Sequence, residues 1–247
     1  MKLLARMVCG VLFVAGPATA DMLGVRAGLE YWHAQPEVVA GNTGVAGRWS
    51  LEDANGMAWA ARFEHPIPLV PNVAARYQQN DYSAQAPLLD SLRLGQVVYS
   101  AGQNIWQSQK YQSYDVTAYY ELLDNPLLSV DLGLTARQLR ITSELNTSVV
   151  KNSADLSVLL PMLYLDTEVG VWGTDTVVFA KGNYSRYQSD LNYDWQAGIA
   201  WRFIDIAMIQ AYLRVGWQYN KLAISDRDHL DVHANSSGGF AGLYLDF

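Results

Sequence analysis

The chain contains 247 residues, of which 50% are hydrophobic and 17% are charged, and this composition excludes an intrinsically disordered protein. Its 24 acidic residues outnumber 17 basic ones, giving a formal net charge of −7, so no nucleic-acid partner is expected. A single cysteine excludes a disulfide framework and a cysteine-based metal site. The 15 tyrosines and 8 tryptophans favour β-strands and membrane interfaces.

The amino terminus has the features of a secretory signal peptide. Lys2 and Arg6 form a basic segment, and an uncharged run follows over residues 7–15. Ala18 and Ala20 give the small-x-small pattern that signal peptidase cuts, so we predict cleavage after Ala20. The uncharged run is far shorter than the ~20 residues that a membrane-spanning helix needs. Residues 1–20 are therefore predicted to be removed, and residues 21–247 to be exported as one domain.

Apolar residues recur at every second position through most of the exported chain. Between residues 193 and 203, for example, the odd positions are apolar and the even positions are polar or small. Side chains of a strand point alternately to opposite faces, so this period of two indicates amphipathic strands. The ten predicted strands cover residues 23–33, 55–64, 70–78, 114–122, 127–137, 158–171, 176–187, 193–203, 209–219 and 239–247.

Short and long connectors alternate between these strands. The short ones lie near residues 65–68, 124–126, 172–175 and 204–207, whereas 34–54, 79–113, 138–157 and 223–238 are long and polar. Outer-membrane barrels keep short turns on the periplasmic side and long loops outside. The prediction is an all-β fold: a transmembrane antiparallel up-and-down β-barrel of about ten strands. It would lie in the outer membrane of a Gram-negative bacterium, with both termini at the periplasmic rim.

The apolar face of these strands carries aromatic residues near its ends, as the interfacial girdles of a membrane barrel do. We therefore expect this face to contact outer-membrane lipid and lipopolysaccharide. The alternative is a soluble lipocalin-like barrel in which the same aromatic residues form the core. The residues concerned are Tyr31, Trp59, Phe63, Tyr114, Tyr120, Trp195, Trp201, Trp217 and Tyr219.

The chain ends in a strand with apolar residues at alternate positions and a terminal phenylalanine. Gly242, Leu243, Leu245 and Phe247 belong to this pattern, which is typical of the terminal strand that the outer-membrane barrel assembly machinery recognises. We predict that these residues form the assembly signal and that the machinery is a partner during biogenesis.

Four segments carry a family resemblance: YYELLDN at 119–125, LGLTAR at 132–137, PMLYL at 161–165 and GGFAGL at 238–243. They resemble a family of proteobacterial outer-membrane β-barrels called the outer membrane protein with GlyGly family. The resemblance extends over most of the exported chain and rests on a strand–turn–strand block and a terminal strand. It implies an outer-membrane barrel of largely unassigned function, and it brings no active-site residues to this chain.

The polar face of the strands carries many charged residues. Since the apolar face is expected to contact lipid, the polar face is expected to point into the lumen. A ten-stranded barrel is only slightly wider than the eight-stranded barrel that side chains just fill. Charges buried there persist only when they are paired, so we predict a charge-paired network that plugs the lumen or leaves a narrow water-filled path. The predicted network comprises Arg26, Glu30, Arg62, Glu64, Arg76, Asp115, Glu121, Asp131, Arg137, Arg202 and Arg214, with Asp166, Glu168, Lys181, Asp194 and Asp246 in the same phase.

These features predict a non-enzymatic envelope protein, either structural or a narrow pore for a small solute, with no cofactor and no metal. The alternative is a site at the extracellular mouth: an enzyme of the omptin-like protease kind, or a ligand or adhesion site on the loops. A carboxylate that orients a histidine is the arrangement that general-base chemistry needs. The candidates in loop 223–238 are Asp226, Asp228, His229, Asp231 and His233, and the aspartates lack the Gly and Glu of a calcium loop.

Loop 81–112 contains a cluster of leucines. Leu88, Leu89 and Leu92 have the spacing of a short amphipathic helix that Gly95 would end. We expect this loop to pack on itself. Three other placements stay open at this point: folding over the mouth, dipping into the bilayer interface and contacting a partner.

Overall fold

The computed structural model describes residues 23–125, 127–148, 150–206, 209–227 and 229–247. The predicted signal peptide, with Ala18 and Ala20 at its cleavage site, lies outside the described residues. In the described part of the chain, no helix is long and apolar enough to cross a membrane.

Thirteen strands form over these ranges, and three of them are only three residues long. In chain order the strands are β1 (Gly24–Asn42), β2 (Gly47–Trp49), β3 (Ala54–Glu64), β4 (Asn72–Pro87), β5 (Leu92–Leu94), β6 (Val97–Tyr99), β7 (Asn104–Asn125), β8 (Leu128–Asn146), β9 (Lys151–Gly170), β10 (Thr176–Tyr187), β11 (Asp190–Ile206), β12 (Ile209–Arg227) and β13 (Leu230–Asp246).

The ten long strands form one closed antiparallel barrel within the described residues. Around the barrel, β1 is followed by β3, β4 and β7, and then by β8 to β13 in order. The last strand returns to pair with the first, from Arg26 opposite Asp246 to Asn42 opposite Leu230. Closure gives each barrel strand a partner on both sides. The all-β fold, the up-and-down order and the predicted number of about ten strands are thereby confirmed.

The barrel has a terminal end, where both chain termini lie, and a distal end opposite to it. Its strands extend much further toward the distal end than predicted. β7 has 22 residues and β9 has 20, about twice the ~9–11 that span a bilayer. The long loops predicted at 34–54, 79–113, 138–157 and 223–238 are therefore mostly strand, and the prediction of their structure was wrong.

The polarity of the two barrel faces inverts part of the way along the strands. On β8 near the terminal end, Leu134 faces outward and is 64% exposed, whereas Arg137 faces inward and is 4% exposed. Toward the distal end, Leu139 faces inward and is buried, and Arg140 faces outward and is exposed. The apolar residues move from the outer face to the inner face at this point. A strand predicted from one constant apolar face therefore ends there, although the strand itself continues. This is why the predicted strands were too short.

The outer surface near the terminal end is apolar and aromatic. Trp59, Trp195, Trp201 and Trp217 point away from the lumen and are between 41% and 56% exposed. A soluble lipocalin-like barrel would need this face inside, so that alternative does not fit the structure. Such a large exposed apolar surface is the surface that a membrane covers.

Candidate functional site in the barrel lumen

The lumen changes character along its length. Buried charged side chains fill the terminal half, and a polar cavity lies among them. The distal half is filled by an apolar core.

Glu30 is the centre of one charge cluster, although its side chain is only 1% exposed. Its Oε2 lies 2.6 Å from Arg76 Nη1, and its Oε1 lies 3.5 Å from Lys181 Nζ. The Gln196 amide donates a hydrogen bond to Oε2 at 3.0 Å, and the Tyr244 hydroxyl donates to Oε1. Donors from β4, β10, β11 and β13 therefore satisfy this carboxylate, as a buried charge requires.

Arg137 joins three strands through a second cluster. Its Nε and Nη2 donate to the two carboxylate oxygens of Asp115 at 2.8 and 2.6 Å. Its Nη1 lies 2.6 Å from Asp194 Oδ1. The paired contacts with Asp115 have the bidentate geometry of strong arginine–carboxylate interactions.

Arg62 is surrounded by acidic groups closer to the terminal end. Its Nη2 donates to Asp166 Oδ2 at 2.5 Å and to the Tyr164 hydroxyl at 2.6 Å. Its Nη1 lies 3.2 Å from Asp131 Oδ2 and 3.8 Å from Glu64 Oε1. One guanidinium thus holds together three carboxylates that would otherwise repel one another.

A fourth cluster connects the first strand to the last two. Arg26 lies 2.8 Å from Asp246 and 3.4 Å from Glu168. Glu168 also accepts a hydrogen bond from Arg214, whose guanidinium lies 4.1 Å from the centre of the Phe179 ring. This cluster adds side-chain contacts to the backbone pairing that closes the barrel.

Two residues predicted for the network are not among its buried members. Arg202 is at the terminal rim, where it lies 2.6 Å from Asp175 and 3.1 Å from Asp205. Glu121 is exposed next to a bulge in the β7–β8 pairing. The alternation along a strand indicates the face on which a side chain lies. It does not indicate whether that part of the strand encloses the lumen or lies at the rim. The structure places the other predicted members in the lumen: Arg26, Glu30, Arg62, Glu64, Arg76, Asp115, Asp131, Arg137 and Arg214.

A small cavity of about 70 Å³ lies beside the Glu30 cluster. Small side chains at Ala60 and Ala74 line it together with larger polar residues from other strands. Two amide nitrogens of lining residues, Gln78 Nε2 and Gln218 Nε2, have no hydrogen-bond partner among the described residues. This cavity was not predicted from the sequence, because its lining residues come from many strands and have in common only that their side chains face inward.

The hairpin β5–β6 folds into the distal mouth and completes an apolar core. Leu92 and Leu94 are 0% and 1% exposed and pack with wall residues that include Leu139 and Leu145. The Tyr99 hydroxyl donates to the Leu145 carbonyl at 3.1 Å, and burial raises the pKa of Tyr99 above its usual value. The predicted short helix is wrong. The loop packs against the barrel mouth rather than only on itself.

The acidic and histidine residues proposed for a catalytic loop lie around the β12–β13 turn. Asp231 accepts hydrogen bonds from the backbone amides of Gly44 at 3.1 Å and Asp226 at 2.9 Å. His233 is exposed on β13, and Asp228 lies outside the described residues. The Asp231 carboxylate therefore holds two turns together. Among the described residues, no group of three or more His, Cys, Asp or Glu side chains is placed to hold a metal ion.

The terminal strand presents its apolar residues to the outside. Leu243, Leu245 and Phe247 are 57%, 44% and 52% exposed. The backbone of Phe247 exchanges hydrogen bonds of 2.9 and 3.1 Å with Val25, so pairing continues to the last residue. Gly242 faces inward, where an added Cβ would lie 2.9 Å from Glu30 Cγ.

Comparisons with known proteins identify the class of fold. No protein-family model and no curated protein matches this chain. Among solved structures, the outer membrane protease OmpT from Escherichia coli is similar over 93% of this chain and 98% of its own, with 10% identity and a TM-score of 0.51. The chain has the closed β-barrel fold of outer-membrane proteins such as OmpT.

Two further similar structures belong to the same class. Ail, the attachment invasion locus protein of Yersinia pestis, is 12% identical, and the match covers 90% of this chain and 99% of Ail with a TM-score of 0.41. Neisserial surface protein A is 11% identical, and the match covers 91% of this chain and 97% of that protein with a TM-score of 0.37.

Proposed function

We propose that this protein is a non-enzymatic structural barrel of a Gram-negative outer membrane, with a lumen that is closed to solutes. The fold supports the location in the outer membrane, together with the exposed aromatic surface near the terminal end. In this arrangement the terminal end faces the periplasm and the distal end faces the exterior. Residues 1–20 are the cleaved signal peptide in this proposal.

The observation that carries the proposal is the apolar core at the distal end. A water-filled pore needs a continuous polar path, whereas Leu92, Leu94 and the wall residues around them exclude water from the mouth. Hydrogen bonds to its backbone also hold the hairpin. The Arg93 amide donates to the Val45 carbonyl at 2.9 Å, and the Asn152 side chain donates to the Leu94 carbonyl.

The same proposal assigns the partners. Outer-membrane lipid and lipopolysaccharide cover the exposed aromatic surface near the terminal end, and the barrel assembly machinery recognises the strand that contains Gly242, Leu243, Leu245 and Phe247. The exposure of the last three residues supports such contact, since an assembly factor has to reach the signal. The resemblance to the outer membrane protein with GlyGly family agrees with this assignment and stays a hypothesis.

A narrow pore for a small solute is the second candidate. The observation that favours it is the small cavity of about 70 Å³ within the lumen, which charged and polar side chains line. For this cavity to become part of a path, the hairpin would have to leave the mouth. The two candidates therefore differ in whether the native protein conducts ions.

Single-channel recording in a planar bilayer distinguishes them. We expect no discrete openings from the folded protein, with folding verified by heat-modifiable mobility in gel electrophoresis. A variant in which residues 88–103 are replaced by a short Gly-Ser linker lacks the hairpin that fills the mouth, so it should show openings only if the charge clusters of the terminal half leave a water-filled path. Discrete, reproducible openings of the unmodified protein would contradict the closed barrel and support the narrow pore.

A further inference from the structure

The barrel wall has a gap on the distal side of the short β10–β11 hairpin, whose turn lies at residues 188–189. β9 pairs with β8 from Lys151 onward, but it pairs with β10 only from Leu163 onward. Among the described residues, the segment 151–162 of β9 therefore has a neighbouring strand on one side only. On the far side of the gap, β12 extends beyond Ala223, its last residue that is paired with β11.

A pocket of about 220 Å³ occupies this gap. Its lining includes side chains from both faces of the wall. On β9, Leu159 points outward and is 64% exposed, whereas Leu160 points inward and is 6% exposed. On β12, Ile224 points inward and belongs with Leu160 to the distal apolar core. A continuous wall would separate the two faces, so this pocket leads from the outer surface to the core.

Most of the residues that line this pocket are apolar. They are Leu159, Leu160, Pro161, Leu191, Ala223 and Ile224. Among the polar ones, Asp190 already binds Arg227 at 3.1 Å and accepts a hydrogen bond from the Ser225 amide at 3.1 Å. The Asn192 side-chain nitrogen has no partner among the described residues, but Asn192 also borders a separate cavity of about 30 Å³ inside the lumen. The pocket therefore offers little to water, and apolar cavities stay dry or bind apolar molecules.

The gap begins where the outer surface of β9 changes from apolar to polar. Leu163 and Leu159 point outward and are 58% and 64% exposed. The next outward positions are the exposed residues Ser157 and Asp155. In the orientation proposed above, this change marks the outer boundary of the hydrocarbon region. The pocket is therefore continuous with the surface that membrane lipid covers.

The free edge of β9 lacks an amide hydrogen beside the pocket. The Gly170 amide donates to Leu127, on the side of β8, and the Val171 amide donates to Thr176, on the side of β10. Backbone groups alternate in direction along an antiparallel strand, so the odd positions of β9 face the free edge. Pro161 is at one of these positions. Proline has no N–H to leave unpaired, and an unpaired N–H is costly in hydrocarbon.

We propose that an acyl chain of an outer-leaflet lipid enters this gap and lies against Leu160 and Ile224. The inference rests on the membrane location in the proposed function. The chain replaces contact between an apolar pocket and water with contact between apolar groups, which is the favourable direction of the hydrophobic effect. Because the pocket ends at the apolar core, the bound chain opens no water-filled path and the barrel stays closed to ions.

Nuclear Overhauser contacts between protein methyl groups and lipid test this proposal. The protein carries protonated leucine and isoleucine methyl groups in a deuterated background and is placed in nanodiscs of protonated dimyristoylphosphatidylcholine. Such a contact appears only when a methyl group and a lipid chain nearly touch. We expect contacts to acyl-chain methylenes from Leu163, which faces lipid, and also from Leu160 and Ile224. Leu139 should show none, because it is 0% exposed in the same core and does not line the pocket.

The variant Ala223→Trp places a large side chain in the gap. It should remove the lipid contacts of Leu160 and Ile224 and keep that of Leu163. Ala180→Trp is the matched control, because Ala180 is exposed on β10 and does not line the pocket. All three contacts should persist in this control. If Ala223→Trp does not fold, the comparison of Leu160 with Leu139 in the unmodified protein decides the test.

The outcomes separate this proposal from the membrane location on which it rests. A lipid contact at Leu163 without contacts at Leu160 and Ile224 would overturn the lipid site and leave the membrane location intact. Absence of contacts at all three residues would contradict both. Contacts at Leu160 and Ile224 that persist in a folded Ala223→Trp variant would also overturn the site, since lipid would then reach them by another route.

Discussion

The Tyr244 hydroxyl donates a hydrogen bond to Glu30, and so joins the last strand of the chain to the first. The ring of Tyr244 lies across Gly28, where an added Cβ would come within 2.3 Å of the ring. Closure of the barrel therefore involves packing and a buried hydrogen bond as well as the backbone ladder between β13 and β1.

Substitution of Gly28 by alanine tests this closure. The added methyl should displace the Tyr244 ring and weaken its bond to Glu30, with a loss of about 1–3 kcal/mol in the free energy of unfolding. Gly239→Ala is the control, because the nearest atom to its added Cβ would be 3.8 Å away. Urea unfolding in detergent measures both variants. Equal effects of the two substitutions would contradict the proposed packing.

The second prediction concerns the charge of Glu30. Glu30→Gln leaves Arg76 and Lys181 without a carboxylate in direct contact, and breaking a buried ion pair in this way costs about 3–5 kcal/mol. Adding Lys181→Met should recover part of the loss, since it removes one of the two unpaired cations. Arg202→Gln at the terminal rim serves for comparison, and we expect a change of about 0–1 kcal/mol there. A larger effect at Arg202 than at Glu30 would place the important charges at the rim instead.

The third prediction compares two leucines close to the mouth. Leu92 is 0% exposed in the distal core, whereas Leu89 is 53% exposed. Leu92→Asp places a charge in that core and should release the hairpin, so that limited proteolysis cuts between residues 88 and 103. Leu89→Asp should leave the cutting rate unchanged. If Leu92→Asp is as resistant as the unmodified protein, the hairpin is not held by this core.

The fourth prediction locates the membrane boundary on β8. Leu134 and Thr142 both face outward, on opposite sides of the point where the polarity of the faces inverts. Leu134→Arg should lower the free energy of unfolding in lipid vesicles by about 2–4 kcal/mol, because it places a charge on the lipid-facing surface. Thr142→Arg should be nearly neutral, since it would lie in water beside Asp155. Similar losses for the two variants would show that the boundary is elsewhere.

The sequence predicted the barrel because alternation of side chains is a local property of a strand. The inward phase of Glu30, Arg76 and Arg137 and the outward phase of Leu134 could be read directly from it. The apolar hairpin around Leu92 was not predicted, because a buried β-hairpin and a short amphipathic helix give similar patterns over so few residues.

What the sequence determined by itself is therefore the period of two, the number of barrel strands and, near the terminal end, the face on which each side chain lies. Only the tertiary structure decided which side chains meet. Glu30 contacts Arg76, Lys181, Gln196 and Tyr244 because closure brings five strands around one carboxylate. Those residues are far apart in the chain, and no local pattern of the sequence specifies that they meet.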